Sequence, residues 1–212
     1  MTSWARVSSP LAFQATTSAP LLLCILYLQE VAGLPPAEAG FAFVPFNLAV
    51  VTGSFFGSRL TGGIGARITA TSGLSAIAVG VLLLTKITPV GGYPGVLLPG
   101  FVLMGLGVGL SAVASTTAGT SAVGGEKRGL ASGLLNACAE VGYVLGLALL
   151  VPLAAARTDS LAGGLAHPPD AALVEGYRWA FYAGAALAVL GALTALALIR
   201  ATAAGDGGPN NP

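Results

Sequence analysis

The feature that most limits what this chain can become is one acid inside a long apolar run. Gly129 to Leu150, GLASGLLNACAEVGYVLGLALL, carries a single ionisable side chain, Glu140. The run is about 22 residues long, and a helix needs about 20 to cross the roughly 30 Å hydrocarbon core of a bilayer. At about 3.6 residues per turn, Gly129, Gly133, Asn136, Glu140 and Tyr143 share one face. Gly142 and Gly146 lie toward the opposite side, at the small-xxx-small spacing by which membrane helices approach closely. One side of this helix is therefore expected to pack on protein and the other to face something polar. A carboxylate at the bilayer centre costs about 3 kcal/mol or more. Such a group belongs in a cavity or against a partner rather than in lipid.

The rest of the chain agrees. Only 8% of its residues are charged and 55% are hydrophobic, with a mean hydropathy of +0.85, whereas an average soluble domain is about 25% charged. Too few charges exist to build a water-soluble surface, so the chain reads as an integral membrane protein. The 31 glycines and 13 prolines suit closely packed, kinked membrane helices. A net charge of +1 leaves no electrostatic footprint for nucleic acid. Cys24 and Cys138 fall in apolar runs, as small packing residues do, and the one histidine, His167, stands in a loop. No metal centre and no cofactor is implied.

Hydropathy predicts an all-α, polytopic fold with six spans, at about 10–29, 37–60, 68–87, 94–119, 129–150 and 177–199. Pro20 is expected to kink the first and Pro45 lies within the second. Gly53 with Gly57 forms a further close-approach pair, and Gly105, Gly107 and Gly109 follow Pro99-Gly100 in the fourth. The sixth opens with Trp179 and Tyr182, where an interfacial aromatic anchor belongs. The one long connection, Ala154 to Gly176, is expected in water, and the Gly/Pro/Asn-rich tail over 201–212 is expected to be disordered and cytoplasmic. Six spans put both termini on one side. That side would hold Arg6, Arg59, Arg67, Lys127, Arg128 and Arg200, against Lys86, Arg157 and Arg178 on the other. The excess favours cytoplasmic termini in an inner (plasma) membrane.

The stretches LYLQEVAGLPPAEAGFAFVPFNLAVVTGSFFGSRLTGGIGAR (Leu26 to Arg67) and LLPGFVLMGLGVGLSAVASTTAG (Leu97 to Gly119), followed by the Glu140 run, carry a resemblance. In order, spacing and loop length, the chain resembles the C-terminal six-helix half of a major facilitator superfamily transporter, most of all the fourteen-helix drug:proton antiporter branch. The resemblance implies proton-coupled efflux of small, drug-like molecules, and a second half around a shared cavity. GSRLTGGIGAR resembles the family's cytoplasmic gating loop, which implies gating positions at Arg59, Gly62, Gly65 and Arg67. Physically, the two arginines would anchor helix ends and Gly62, Gly63 and Gly65 would permit a tight turn. The acidic residue of the family's fuller pattern is absent from this loop.

In the fifth span the branch shows Asn, then a basic residue, then Gln. Here those positions read Asn136, Ala139 and Glu140. With no cation in the same helix, desolvation favours the neutral carboxyl. A carboxyl that is neutral at one stage of a cycle and ionised at another is what proton coupling requires. Glu140 is thus the proton-coupling candidate, and Asn136, Tyr143, Asn47 and Gln14 are candidates for lining a substrate cavity. The structural alternative is that these polar groups bond between helices, at about 0.6 kcal/mol each. Two functions stay open: a transporter closed by self-association or by a separate half, and a module inactive alone, favoured by the few residues before the first span. An intramembrane enzyme is disfavoured, because no span offers paired acids, a histidine, or a serine with a base.

Overall fold

The computed structural model describes the backbone of residues 3–89, 93–120, 128–163, 165 and 167–203. The described residues form helices and turns with no strand. They are α1 (Ser3–Leu26), α2 (Pro36–Phe41), α3 (Val44–Ile64), α4 (Ala66–Leu84), α5 (Leu98–Thr120), α6 (Arg128–Ala162) and α7 (Asp170–Ala203). Wider π-helical turns extend α1 over Tyr27–Val31 and lead into α5 over Tyr93–Leu97. Among the described residues, four stretches are long and apolar enough to cross a membrane: Pro36–Ile64, Ala66–Leu84, Gly95–Ala118 and Ser132–Ala162.

The helix ends differ from the predicted spans in instructive ways. The second span is two helices. Pro45 lies in the first turn of α3, where its missing N–H costs nothing, so it starts a helix rather than bending one. The long connection is much shorter than expected. α6 runs on through Ala154–Ala162, with Pro152 inside it, and α7 begins at Asp170, directly after Pro168-Pro169. Residues 163–169 alone join them. At 35 residues, α6 is about 52 Å long, longer than the roughly 30 Å core of a bilayer. Lys127 and the tail from 204 lie outside the described residues.

α5 is clasped between α3 and α4, α7 lies against α4, α6 and α1, and α1 also touches α5. Exchanging α1, α3 and α4 with α5, α6 and α7 maps the main contacts onto one another: the α1–α6 pair becomes the α5–α3 pair, and α4–α5 becomes α7–α1. Pseudo-symmetric repeats of this kind recur in transporter folds. The core runs along the inner faces of α1, α4, α5 and α7, with Leu23, Leu28, Leu74, Ile77, Phe101, Met104 and Phe181 fully covered. Phe101 also stacks obliquely on Phe43, their centroids 4.8 Å apart.

The glycines of α5 explain how it fits between two neighbours. A methyl at Gly105 would lie 2.8 Å from the Ala49 Cβ, and one at Gly109 would lie 2.7 Å from the Gly53 carbonyl carbon, both in α3. A methyl at Gly107 would lie 2.7 Å from the Ile77 nitrogen in α4. Alternate glycines thus open two faces of one helix. In a bilayer, where lipid tails are as apolar as leucine, such close van der Waals approach is what holds helices together.

Candidate functional site

α6 sorts its residues as the periodicity predicts. Leu135, Gly142, Gly146, Leu150 and Ala154 are buried and form its inner stripe. Gly146 meets the Ala15 carbonyl and the Ser18 side chain of α1 so closely that a Cβ would collide with both. Ser18 Oγ donates to the Tyr143 carbonyl at 3.1 Å and fixes the register of the two helices. Thr16, Thr17 and Ser18 are all buried here, so the polar first half of the first span packs against protein.

On the opposite side, Gly129, Gly133, Asn136, Glu140 and Tyr143 are exposed, Tyr143 by 41%. Asn136, Glu140 and Tyr143 follow one another at i, i+4 and i+7, which makes one polar line about 11 Å long. Apolar neighbours flank it, with Leu134, Val141, Val144 and Leu145 all exposed. Of the four membrane-length stretches, the one in α6 is the least covered by the rest of the chain. Nothing described in this chain covers the line, so its amide, carboxyl and phenol are open to a partner or ligand.

Gln14 is half-buried on α1, one turn before Ser18. Asn47 is elsewhere. It lies in the first turn of α3, exposed, and its Nδ2 donates to the Phe43 carbonyl of its own helix at 3.0 Å. α3 packs on α5 and α4 whereas α1 packs on α6 and α7, so Gln14 and Asn47 stand on different helix pairs.

In the predicted gating segment a single residue links the two helices. Gly65, at φ 87° and ψ 155°, links α3 to α4 in a conformation that L side chains avoid. Gly62 and Gly63 remain helical and exposed in the last turn of α3, so only one of the three glycines makes the turn. Arg59 lies more than a turn inside α3, its guanidinium 4.2 Å from the Phe55 ring centroid. Arg67 is half-buried at the start of α4, an end whose dipole does not favour a cation.

One cluster escaped the sequence reading, which treats the loop charges as solvated. At the other end of the bundle, Tyr177 Oη donates to Glu30 Oε2 at 2.8 Å. Arg178 Nε donates to the Thr85 carbonyl at 2.8 Å, and its Nη1 pairs with Glu175 at 3.2 Å. Tyr27 Oη donates to the Thr88 carbonyl at 2.8 Å. These bonds tie the ends of α1, α4 and α7 together. Only the i, i+3 pair Glu175–Arg178 has a local signature.

The family model described as Major Facilitator Superfamily matches residues 9–211. The multidrug resistance protein Stp of Mycobacterium tuberculosis is 36% identical over 136 residues, covering 64% of this chain and 25% of that protein. The puromycin resistance protein pur8 of Streptomyces alboniger is 31% identical over 186 residues, 84% of this chain and 37% of that protein. The cephamycin export protein CmcT of Amycolatopsis lactamdurans is 34% identical over 148 residues, 69% of this chain and 30% of that protein. The chain thus spans a quarter to somewhat over a third of these curated relatives. With its apolar helices and a family match over nearly its whole length, it is an integral membrane protein and belongs to the Major Facilitator Superfamily.

Proposed function

We propose that this chain forms one six-span half of a proton-coupled exporter of small, drug-like molecules, with both termini in the cytoplasm. The observation that carries the reading is the uncovered polar line Asn136–Glu140–Tyr143 on α6, opposite a stripe packed tightly on α1. Such a line is costly against lipid and is favourable against the cavity of a two-half transporter. The relatives add that proteins similar to this chain are named for multidrug resistance, puromycin resistance and cephamycin export.

In this reading Glu140 takes up and releases the coupling proton. Asn136, Tyr143 and Gln14 line the substrate path around it, and Asn47 lines it on the α3 side. The Gly65 hinge, flanked by Arg59 and Arg67, lets α3 and α4 adjust at the cytoplasmic gate as the halves rock. The second half is another copy or a separate N-terminal half.

The test is uptake of a lipophilic fluorescent cation into inverted vesicles holding the chain, with and without a proton gradient. Gradient-dependent uptake that disappears in Glu140→Gln, while the variant inserts normally, is the expected outcome. Uptake that keeps its gradient dependence in Glu140→Gln would remove Glu140 from the coupling role. The second reading, a module inactive alone, draws on the same uncovered line, because an open face needs a partner to close it. No uptake from inserted, folded chain, restored by co-expression of an N-terminal half, would establish it.

A further inference from the structure

We propose that the outer face of α7 holds one phospholipid, its phosphate on Arg157 and one acyl chain in the groove between α7 and α4. Two independent features meet on this face. The first is a cation without a counter-ion. The Arg157 guanidinium carbon lies 5.4 Å from the Trp179 ring centroid. Its Nε is shielded from solvent, so a ligand would meet its two terminal nitrogens, and no carboxylate is paired with it among the described residues. Arg178, at the same end of the bundle, is by contrast bonded to the Thr85 carbonyl and Glu175. A planar guanidinium that is held by an indole and short of acceptors is matched to a phosphodiester, which accepts two parallel N–H bonds.

The second feature is an apolar cleft of about 460 Å³, lined by Leu82 of α4 and by Tyr182, Ala185, Ala186, Val189 and Leu190 of α7. On a helix of about 3.6 residues per turn, Trp179, Tyr182, Ala186, Val189 and Leu190 fall within roughly 100° of one another. Trp179 and Tyr182 are 48% and 49% exposed, an aromatic pair at the level where such rings mark the membrane interface. From Trp179 to Leu190 the helix rises about 16 Å, roughly half of a 30 Å core. That is the depth one leaflet's acyl chain occupies. On the six-span reading proposed above, on which this inference rests, the cation sits at head-group height and the groove lies deeper along the same face.

Neither part suffices for a simpler occupant. Free phosphate gains nothing from the groove, and an uncharged tail gains nothing from Arg157. An anionic amphiphile satisfies both, and phospholipid of the surrounding leaflet is the one always present.

Trp179 reports on its own site. The sequence holds two tryptophans, Trp4 and Trp179, so Trp4→Phe leaves Trp179 as the sole indole of the full chain. This protein, delipidated in detergent, is titrated with phosphatidylglycerol brominated on its acyl chains, and separately with diacylglycerol bearing the same brominated chains but no phosphate. Phosphatidylglycerol is expected to quench Trp179 saturably, with a midpoint about tenfold lower than diacylglycerol, the size of one charge-assisted contact. Arg157→Gln should raise the phosphatidylglycerol midpoint about as much and leave that of diacylglycerol in place. Ala186→Phe, which fills the groove, should weaken both. Equal midpoints for the two lipids on the parent protein would overturn the proposal and leave ordinary annular lipid. An unshifted midpoint in folded Arg157→Gln would do the same. Should Arg157→Gln fail to fold, the two-lipid comparison on the parent and Ala186→Phe decide.

Discussion

The α3–α5 and α1–α6 pairs occupy equivalent places in the pseudo-symmetric pairing, yet they are built differently. α3 and α5 meet through glycines from both helices: Gly53 and Gly57 on one, Gly105 and Gly109 on the other. α1 and α6 meet through Gly146 on one side only, set against Ala15 and a buried hydroxyl, Ser18. The first contact is apolar backbone against backbone. The second is keyed by a hydrogen bond to the Tyr143 carbonyl, and directly behind it, across the helix, lies the Asn136–Glu140–Tyr143 line. The difference teaches that the scaffold and the chemistry are separated by helix. α5 is shaped to be enclosed, whereas α6 is anchored along one stripe and left open along the other.

Substitutions can break or sharpen this contrast. Gly109→Leu should have the largest effect, because the new side chain would drive into the α3 backbone at Val50 and Ser54, and overpacking of rigid contacts costs about 3 kcal/mol or more. Loss of the monodisperse peak in fluorescence-detected size exclusion would show it. Gly146→Leu should cost somewhat less, about 2 kcal/mol, since one of the groups it meets, the Ser18 side chain, can rotate away, although the Ala15 backbone carbonyl cannot. If Gly146→Leu proves the more damaging, the α1–α6 pair rather than α3–α5 is the scaffold. Tyr177→Phe removes the bond to Glu30 and should lower stability by about 1 kcal/mol, read as a drop in melting temperature. The smallest pair tests the hinge. Gly62→Ala lies in an exposed helical turn with open space around it and should stabilise by up to about 1 kcal/mol. Gly65→Ala, at φ 87°, should destabilise by about 1 kcal/mol. Equal effects from the two would remove the special role of Gly65.

Four membrane-length apolar helices were legible because a bilayer demands about 20 apolar residues in succession. Where the helices end was not. Hydropathy marks where a chain turns polar, and Ala154–Ala162 turns more polar while remaining helical, since Ala, Leu and Arg are good helix formers in water too. The buried and open stripes of α6 were legible from periodicity alone. The bond of Asn47 to the Phe43 carbonyl of its own helix was not, because a polar residue on a membrane helix carries no mark of which partner it will find. The Tyr177–Glu30 bond, between residues 147 apart in sequence, had no local trace.

By itself the sequence determined that this protein lives in a membrane as helices, that α6 has a packed side and a polar side, and that glycines permit close contacts. Those properties follow from solvation and helix geometry, which act residue by residue. The tertiary structure alone decided that α5 is the enclosed helix, that Gly65 and not Gly62 or Gly63 turns the chain, and that the charges at the far end of the bundle are bonded. These depend on which surfaces come within a few ångströms of one another, and that is a property of the assembled bundle.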